Sequence, residues 1–204
     1  MTFTDGAARY DLSFTVGDLL LREAGIAAPV YLSTNSWAAT REQILDENLF
    51  QASSRASAQR LIRETLKRLR RLDLNELRFF AAAAPSEKSL LMWLAACRAH
   101  GFIAEFAEEV VRDRFLLLTP ELDYSHFDTF VSAKALWHPE LSQLKESTVH
   151  KLRSNLFRMM SQAALLMNGQ IQQALLTDPI RALFATHYPE DIRFFPDRSM
   201  EAVQ

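Results

Sequence analysis

The sequence predicts a mainly α protein, a bundle of helices carrying at most one short β-hairpin. Three observations predict it. Only 5 Gly and 7 Pro punctuate 204 residues, and the segments between them are rich in Leu, Ala, Arg and Glu, which are strong helix formers. Apolar residues recur three and four apart along those segments, the period of a helix with one buried face. Asn168–Gly169 is a signal for a two-residue hairpin turn. With 49% apolar residues the chain can furnish a core, as one large domain or two small ones.

Residues 1–9 read as a loose start. Leu12 to Ala28 reads as a first helix, with Thr15 as cap and Pro29 as its end. Ser36 caps a second helix over Thr40–Asn48, and Ser53 or Ser54 caps a third that runs to Arg71. Asp73–Glu76 punctuates the chain before a short helix over Leu77–Ala84. Ser86 and Glu87 open the next, which runs to His100 and stops at Gly101. Phe102–Phe115 is amphipathic, with Phe102, Phe106 and Val110 inward and Glu105, Glu108, Glu109 and Asp113 outward. After Thr119–Pro120, a helix starts at Asp123 or Ser125 and runs through Trp137. A last helix covers Ile180–Thr186, Phe194 and Phe195 anchor the end to the body, and Glu201–Gln204 is loose. The organisation expected is an N-terminal helical domain over 1–75 and a C-terminal one over 76–204.

Several function classes find no support. The longest apolar run, Leu90–Cys97, stops at Arg98, well short of the roughly 20 residues of a spanning helix. Asp5, Arg9 and Asp11 interrupt any leader-like start. Cys97 is the single cysteine, so no internal disulfide forms, which suits a reducing cytoplasm. The chain has no phosphate-binding glycine loop, no HExxH, CxxC or GxSxG, and no His pair at metal spacing. Asp123 with His126 reads as a helix start rather than an acid–base pair. No catalytic residue, metal, cofactor or small-molecule substrate is expected, and no membrane; a cytoplasmic, non-enzymatic protein is.

Charge carries the functional signal. The chain holds 23 Lys and Arg against 25 Asp and Glu. Residues 53–71 alone carry seven cations (Arg55, Arg60, Arg63, Lys67, Arg68, Arg70, Arg71) and one acid, Glu64. Wound as a helix, Leu61, Ile62, Leu66, Leu69 and Leu72 fall within roughly 140°. Arg60, Arg63, Lys67, Arg70 and Arg71 fall opposite, within roughly 100°. A solvated helix usually mixes signs to gain i,i+4 pairs. Here only Arg60–Glu64 and Glu64–Arg68 can form, and 63/67 and 67/71 repel. An anionic partner would offset that repulsion. With the short helix before it, this stretch has the outline of a helix-turn-helix.

Residues 138–172 are the second informative stretch. Pro139 starts a short helix, Lys145–Glu146 turns, and Ser147 caps a helix from Thr148 to about Ala163. Val149, Leu152, Leu156, Met159 and Met160 form its apolar face. His150, Lys151, Ser154, Asn155 and Arg158 project away from it, a composition able to meet base edges and phosphates. Followed by the Asn168–Gly169 hairpin, the order is that of a winged helix. Double-stranded DNA is therefore the expected partner, with Arg55, Arg60, Arg63, Lys67, Arg70 and Arg71 on phosphates. Ser147, Thr148, His150, Lys151, Ser154, Asn155 and Arg158 would enter or flank a groove.

Four blocks in order carry a resemblance: NLFQASSRASAQRLIRETLKRLRRL, LMWLAACRAHGFIAEFAEEVVRDRF, LSQLKESTVHKLRSNLFRMM and a terminal FFP. From about Tyr10 to Pro196 the chain resembles the BrxA family of the bacteriophage-exclusion (BREX) defence systems. The resemblance implies a small all-helical, non-enzymatic accessory protein that binds DNA and works beside other BREX components. That family has also carried a membrane label and a comparison with an RNA-binding antitermination factor. The alternatives to duplex-DNA binding are thus a protein–protein adaptor, using the acidic Glu105–Asp113 face or the aromatic patches, and structured-RNA binding.

Overall fold

A computed structural model describes residues 9–198. Its helices run, in order, α1 (Leu21–Thr34), α2 (Trp37–Asp46), α3 (Arg55–Leu69), α4 (Leu74–Ala82), α5 (Pro85–Ala99) and α6 (Gly101–Phe106). They continue as α7 (Asp113–Leu116), α8 (Tyr124–Lys134), α9 (Pro139–Ser142), α10 (Glu146–Gln162) and α11 (Asp178–His187). A two-stranded antiparallel hairpin, β1 (Leu166–Met167) and β2 (Gln170–Ile171), follows α10. The mainly α expectation, with one short hairpin, holds.

Helix α5 lies at the centre. Its apolar run from Leu90 to Cys97 is buried throughout, and α1, α3, α4, α6 and α10 pack around it. The apolar run that falls short of a membrane span is therefore core. Among the described residues no single helix is long and apolar enough to cross a membrane. One continuous hydrophobic cluster joins Phe14, Ile62 and Leu66 to Trp93, Leu156 and Phe195, on both sides of residue 75. The Trp93 indole donates to the Phe194 carbonyl at 2.9 Å and Phe184 stacks on Phe195, so the expected aromatic anchors hold. Of the loose ends expected at 1–9 and 201–204, residues 1–8 and 201–204 lie outside the described residues.

Helix starts follow their caps. Ser36 Oγ accepts from Ala39 N–H and Ser54 Oγ from Ser57 N–H, at 3.3 and 3.2 Å. Asp73 and Glu76 bond each other's backbone N–H reciprocally, which starts α4 at Leu74 rather than Leu77. Asp123 caps α8 and bonds His126, as a helix start. Asn168 (φ 51) and Gly169 (φ 74) supply the paired positive φ values of the hairpin turn and set Leu166 opposite Ile171.

Other boundaries also differ from expectation, α2 starting at Trp37 rather than Thr40 and α8 ending at Lys134 rather than Trp137. The first helix begins at Leu21, not Leu12, because Gly17 and Leu20 take left-handed backbone and Ser13–Thr15 forms a separate 3₁₀ turn. It then runs through Pro29 to Thr34. Pro29 removes one backbone bond, but α1 stays helical where it packs on α2 and α3. Ser147 is not a cap: α10 starts two residues before Thr148, at Glu146, and Ser147 lies in its first turn. The Phe102–Phe115 stretch is helical but passes through a π-helical segment at Ala107–Arg112.

Candidate nucleic-acid interface

Helix α3 separates two surfaces. Ala58, Ile62, Leu66 and Leu69 are buried toward α1, α2 and α5. Arg55, Arg60, Arg63, Arg70 and Arg71 are exposed, and Lys67 is half-buried. Arg68 departs from the surface row: its side chain is 0% exposed. It is held by Glu64 one turn earlier on α3 and by the Asp18 carbonyl, and Ser13 and His100, at the end of α5, bond the same Glu64 carboxylate. Arg68 Nε donates to Glu64 Oε1 at 2.9 Å and Nη1 to the Asp18 carbonyl at 2.5 Å. His100 Nε2 meets the same Glu64 oxygen at 2.7 Å, and Ser13 Oγ donates to the other at 3.1 Å. Burial pushes the Glu64 carboxyl up, but the His100 bond and the Arg68 charge outweigh it and hold it down to about 2.

Lys67 is shared between this network and the surface. Its Nζ lies 2.5 Å from Asp11 Oδ2, 3.1 Å from Ser13 Oγ and 3.3 Å from His100 Nδ1. Burial raises the Asp11 carboxyl, and the bonds from Lys67 and Ser13 more than reverse that, to about 2.

Beside α3 the packing of α2 creates a groove of ≈ 680 Å³. Arg63, Lys67, Arg70 and Arg71 line it, joined by Arg41 of α2, Gln59 and the buried Ile62 and Leu66. Among the described residues no carboxylate pairs with Arg41, Arg63, Arg70 or Arg71. Arg55 and Arg60 are exposed on the same helix but do not line the groove; Arg60 Nη2 bonds Ser57 Oγ at 3.4 Å. Arg41 was not legible as a site residue. It is the single cation of α2, and only the α2–α3 packing brings it to the others.

Helix α10 is more divided than its pattern suggests. Ser147, His150, Lys151, Ser154 and Arg158 are exposed and Thr148 is half-buried. His150 Nε2 faces Glu146 at 3.7 Å. Asn155 does not project with them: it is 6% exposed, and its amide donates to the Phe14 carbonyl at 3.1 Å. On the wheel it lies about 40° from Met159, at the edge of the apolar face, and the Ser13–Thr15 turn closes over it. Arg153 pairs with Asp128 and sits over the Tyr124 ring. None of these α10 side chains lines the α2–α3 groove.

The acidic face of the 101–116 helix is partly neutralised. Lys134 pairs with Glu105 and Glu109, and the Tyr10 hydroxyl donates to Glu105 at 2.6 Å. Burial and that bond push the Tyr10 hydroxyl well above its ordinary range. Glu108 lies 3.5 Å from Arg193.

Fold and groove together define a small, mainly α protein with a cation-lined cleft between two helices. Among the described residues no cluster of metal-ligating side chains accompanies it. The BrxA family model matches residues 8–188, and the chain belongs to the BrxA family. It is similar to the BREX protein BrxA of Escherichia coli O9:H4 (strain HS), 27% identical over 147 residues, covering 72% of this chain and 69% of that one. In fold it is similar to the crystal structure of an uncharacterized protein from Magnetospirillum magneticum. The TM-score there is 0.79 at 19% identity, over 93% of this chain and 98% of the other.

Proposed function

We propose that this chain is a non-enzymatic DNA-binding accessory protein of a BREX phage-defence system, gripping duplex phosphates through α3. One observation carries the reading. Arg41, Arg63, Arg70 and Arg71 line one groove without a carboxylate partner among the described residues. Four guanidinium groups around one cleft repel one another, and a row of phosphates relieves that repulsion while releasing condensed counterions. The succession α2–α3, and that of α9, α10 and the hairpin, are compatible with helix-turn-helix and winged-helix orders and support the reading. In this reading α3 positions the duplex. The exposed Ser147, His150, Lys151, Ser154 and Arg158 of α10 are the side chains available for base edges.

The test is competition between duplex DNA and duplex RNA of equal length for the purified protein at low salt. Preference for DNA supports the reading. Preference for RNA replaces it with structured-RNA binding, and binding to neither removes it.

A second reading, contact with another BREX component, is favoured by Leu136 and Trp137, 78% and 75% exposed after α8. Co-purification that survives nuclease treatment and is lost in Trp137→Ser supports it; co-purification unchanged in that variant removes it.

A further inference from the structure

The basic stretch 53–71 contains no aromatic residue, but the fold brings one to its end. Helix α1 stops at Asn35, whose φ is 48, and Ser36 caps α2 at once. Thr34 Oγ1 bonds the buried Thr40 Oγ1 at 3.0 Å across this turn. So tight a turn brings Tyr31, near the end of α1, against Trp37, the first residue of α2. Their ring centroids are 3.7 Å apart and their planes 14° from parallel. Arg70, just past α3, holds its guanidinium carbon over the Trp37 ring, 5.6 Å from the centroid. A ring packed 3.7 Å from Tyr31 has no room for a guanidinium on that side, so Arg70 takes the other.

We propose that Trp37 is a positioning residue for the groove, fixing Arg70 where it meets the phosphodiester backbone. This rests on the DNA-binding reading above and deepens it. An arginine at the surface ordinarily spends rotamer entropy on binding, and a cation–π contact that restrains the guanidinium beforehand lowers that cost. With Tyr31 on one face and Arg70 on the other, Trp37 has no face left for an unstacked base. The Arg70–Trp37 contact serves backbone grip, not base stacking on Trp37.

The experiment measures binding of a short duplex, and of an all-thymine single strand of equal length, by fluorescence anisotropy. The proteins are wild type, Trp37→Leu, Trp37→Phe, Arg70→Ala and the Trp37→Leu/Arg70→Ala double variant. Trp37→Leu should weaken duplex binding about two- to fivefold, the equivalent of a surface cation–π contact. Trp37→Phe should recover part of that loss. In the Arg70→Ala background, Trp37→Leu should cost nothing further, because it acts through Arg70. The inference is overturned if Trp37→Leu costs as much without Arg70, or if it leaves duplex binding unchanged. A loss confined to the single strand also overturns it, since that marks a stacking platform. If wild type binds no duplex, the DNA-binding reading fails and this inference with it. If wild type binds and Trp37→Leu does not differ, this inference alone fails. Should Trp37→Leu misfold, Trp37→Phe with and without Arg70 gives the same comparison.

Discussion

Lys67 Nζ and Asp11 Oδ2 lie 2.5 Å apart, joining the middle of the cationic helix to a carboxylate 56 residues earlier in the chain. One cation of the groove thus already has a counter-ion, and a phosphate at that place must compete with it.

Replacing Asp11 by Asn removes the charge while leaving an oxygen for the Ser13 N–H. Duplex affinity should rise, on the order of threefold or more, and log K against log salt should steepen by about 0.9 as one more cation becomes available. Anisotropy titrations at several salt concentrations read both. An unchanged slope would mean that Lys67 takes no part in binding.

Glu64 makes stability depend on pH. Its folded carboxyl sits at about 2 against an ordinary 4.5. The unfolded chain therefore binds more protons between those values. The stabilisation, about 3 kcal/mol at most, is present in full above pH 4.5 and fades as pH falls toward 2. Glu64→Gln should be destabilised at neutral pH, because it takes the ion-pair partner from the buried Arg68. Urea melts of both proteins across that range should show the gap between them narrowing with acid. A gap independent of pH would contradict the pairing.

Asn155 separates packing from binding on α10. Asn155→Ala leaves the Phe14 carbonyl without its amide donor and should cost about 1–3 kcal/mol of stability. Duplex affinity of the folded protein should stay unchanged. Lys151→Ala and Arg158→Ala, both exposed, should do the reverse. Denaturant midpoints paired with anisotropy check all three.

The helices were legible because each buried stripe and most caps are local. Ile62, Leu66 and Leu69 mark the inner side of α3 by spacing alone, and Ser36, Ser54 and Asn168–Gly169 mark ends and a turn. What was not legible depends on partners remote in sequence. Arg68 looks like one more surface cation until the Asp18 carbonyl and a Glu64 carboxylate shared with His100 bury it. Asn155 looks like a base reader until the Ser13–Thr15 turn covers it. Arg41 and Trp37 carry no signal within α2; only its packing against α3 places one in the groove and the other beside Arg70.

The central claim is that the α2–α3 groove is an electrostatic grip on duplex DNA, and one measurement tests it most directly. With Lys67 held by Asp11, four groove cations remain to meet phosphates, so the groove alone should make log K fall against log salt with a slope of about −3.6. Between 50 and 200 mM salt binding should weaken roughly 150-fold. The Arg41→Glu/Arg63→Glu/Arg71→Glu variant should retain its helical circular-dichroism signal, lose the duplex gel shift, and flatten the residual salt dependence. A folded variant that still shifts the duplex with the wild-type slope would contradict the account and place the DNA on another surface.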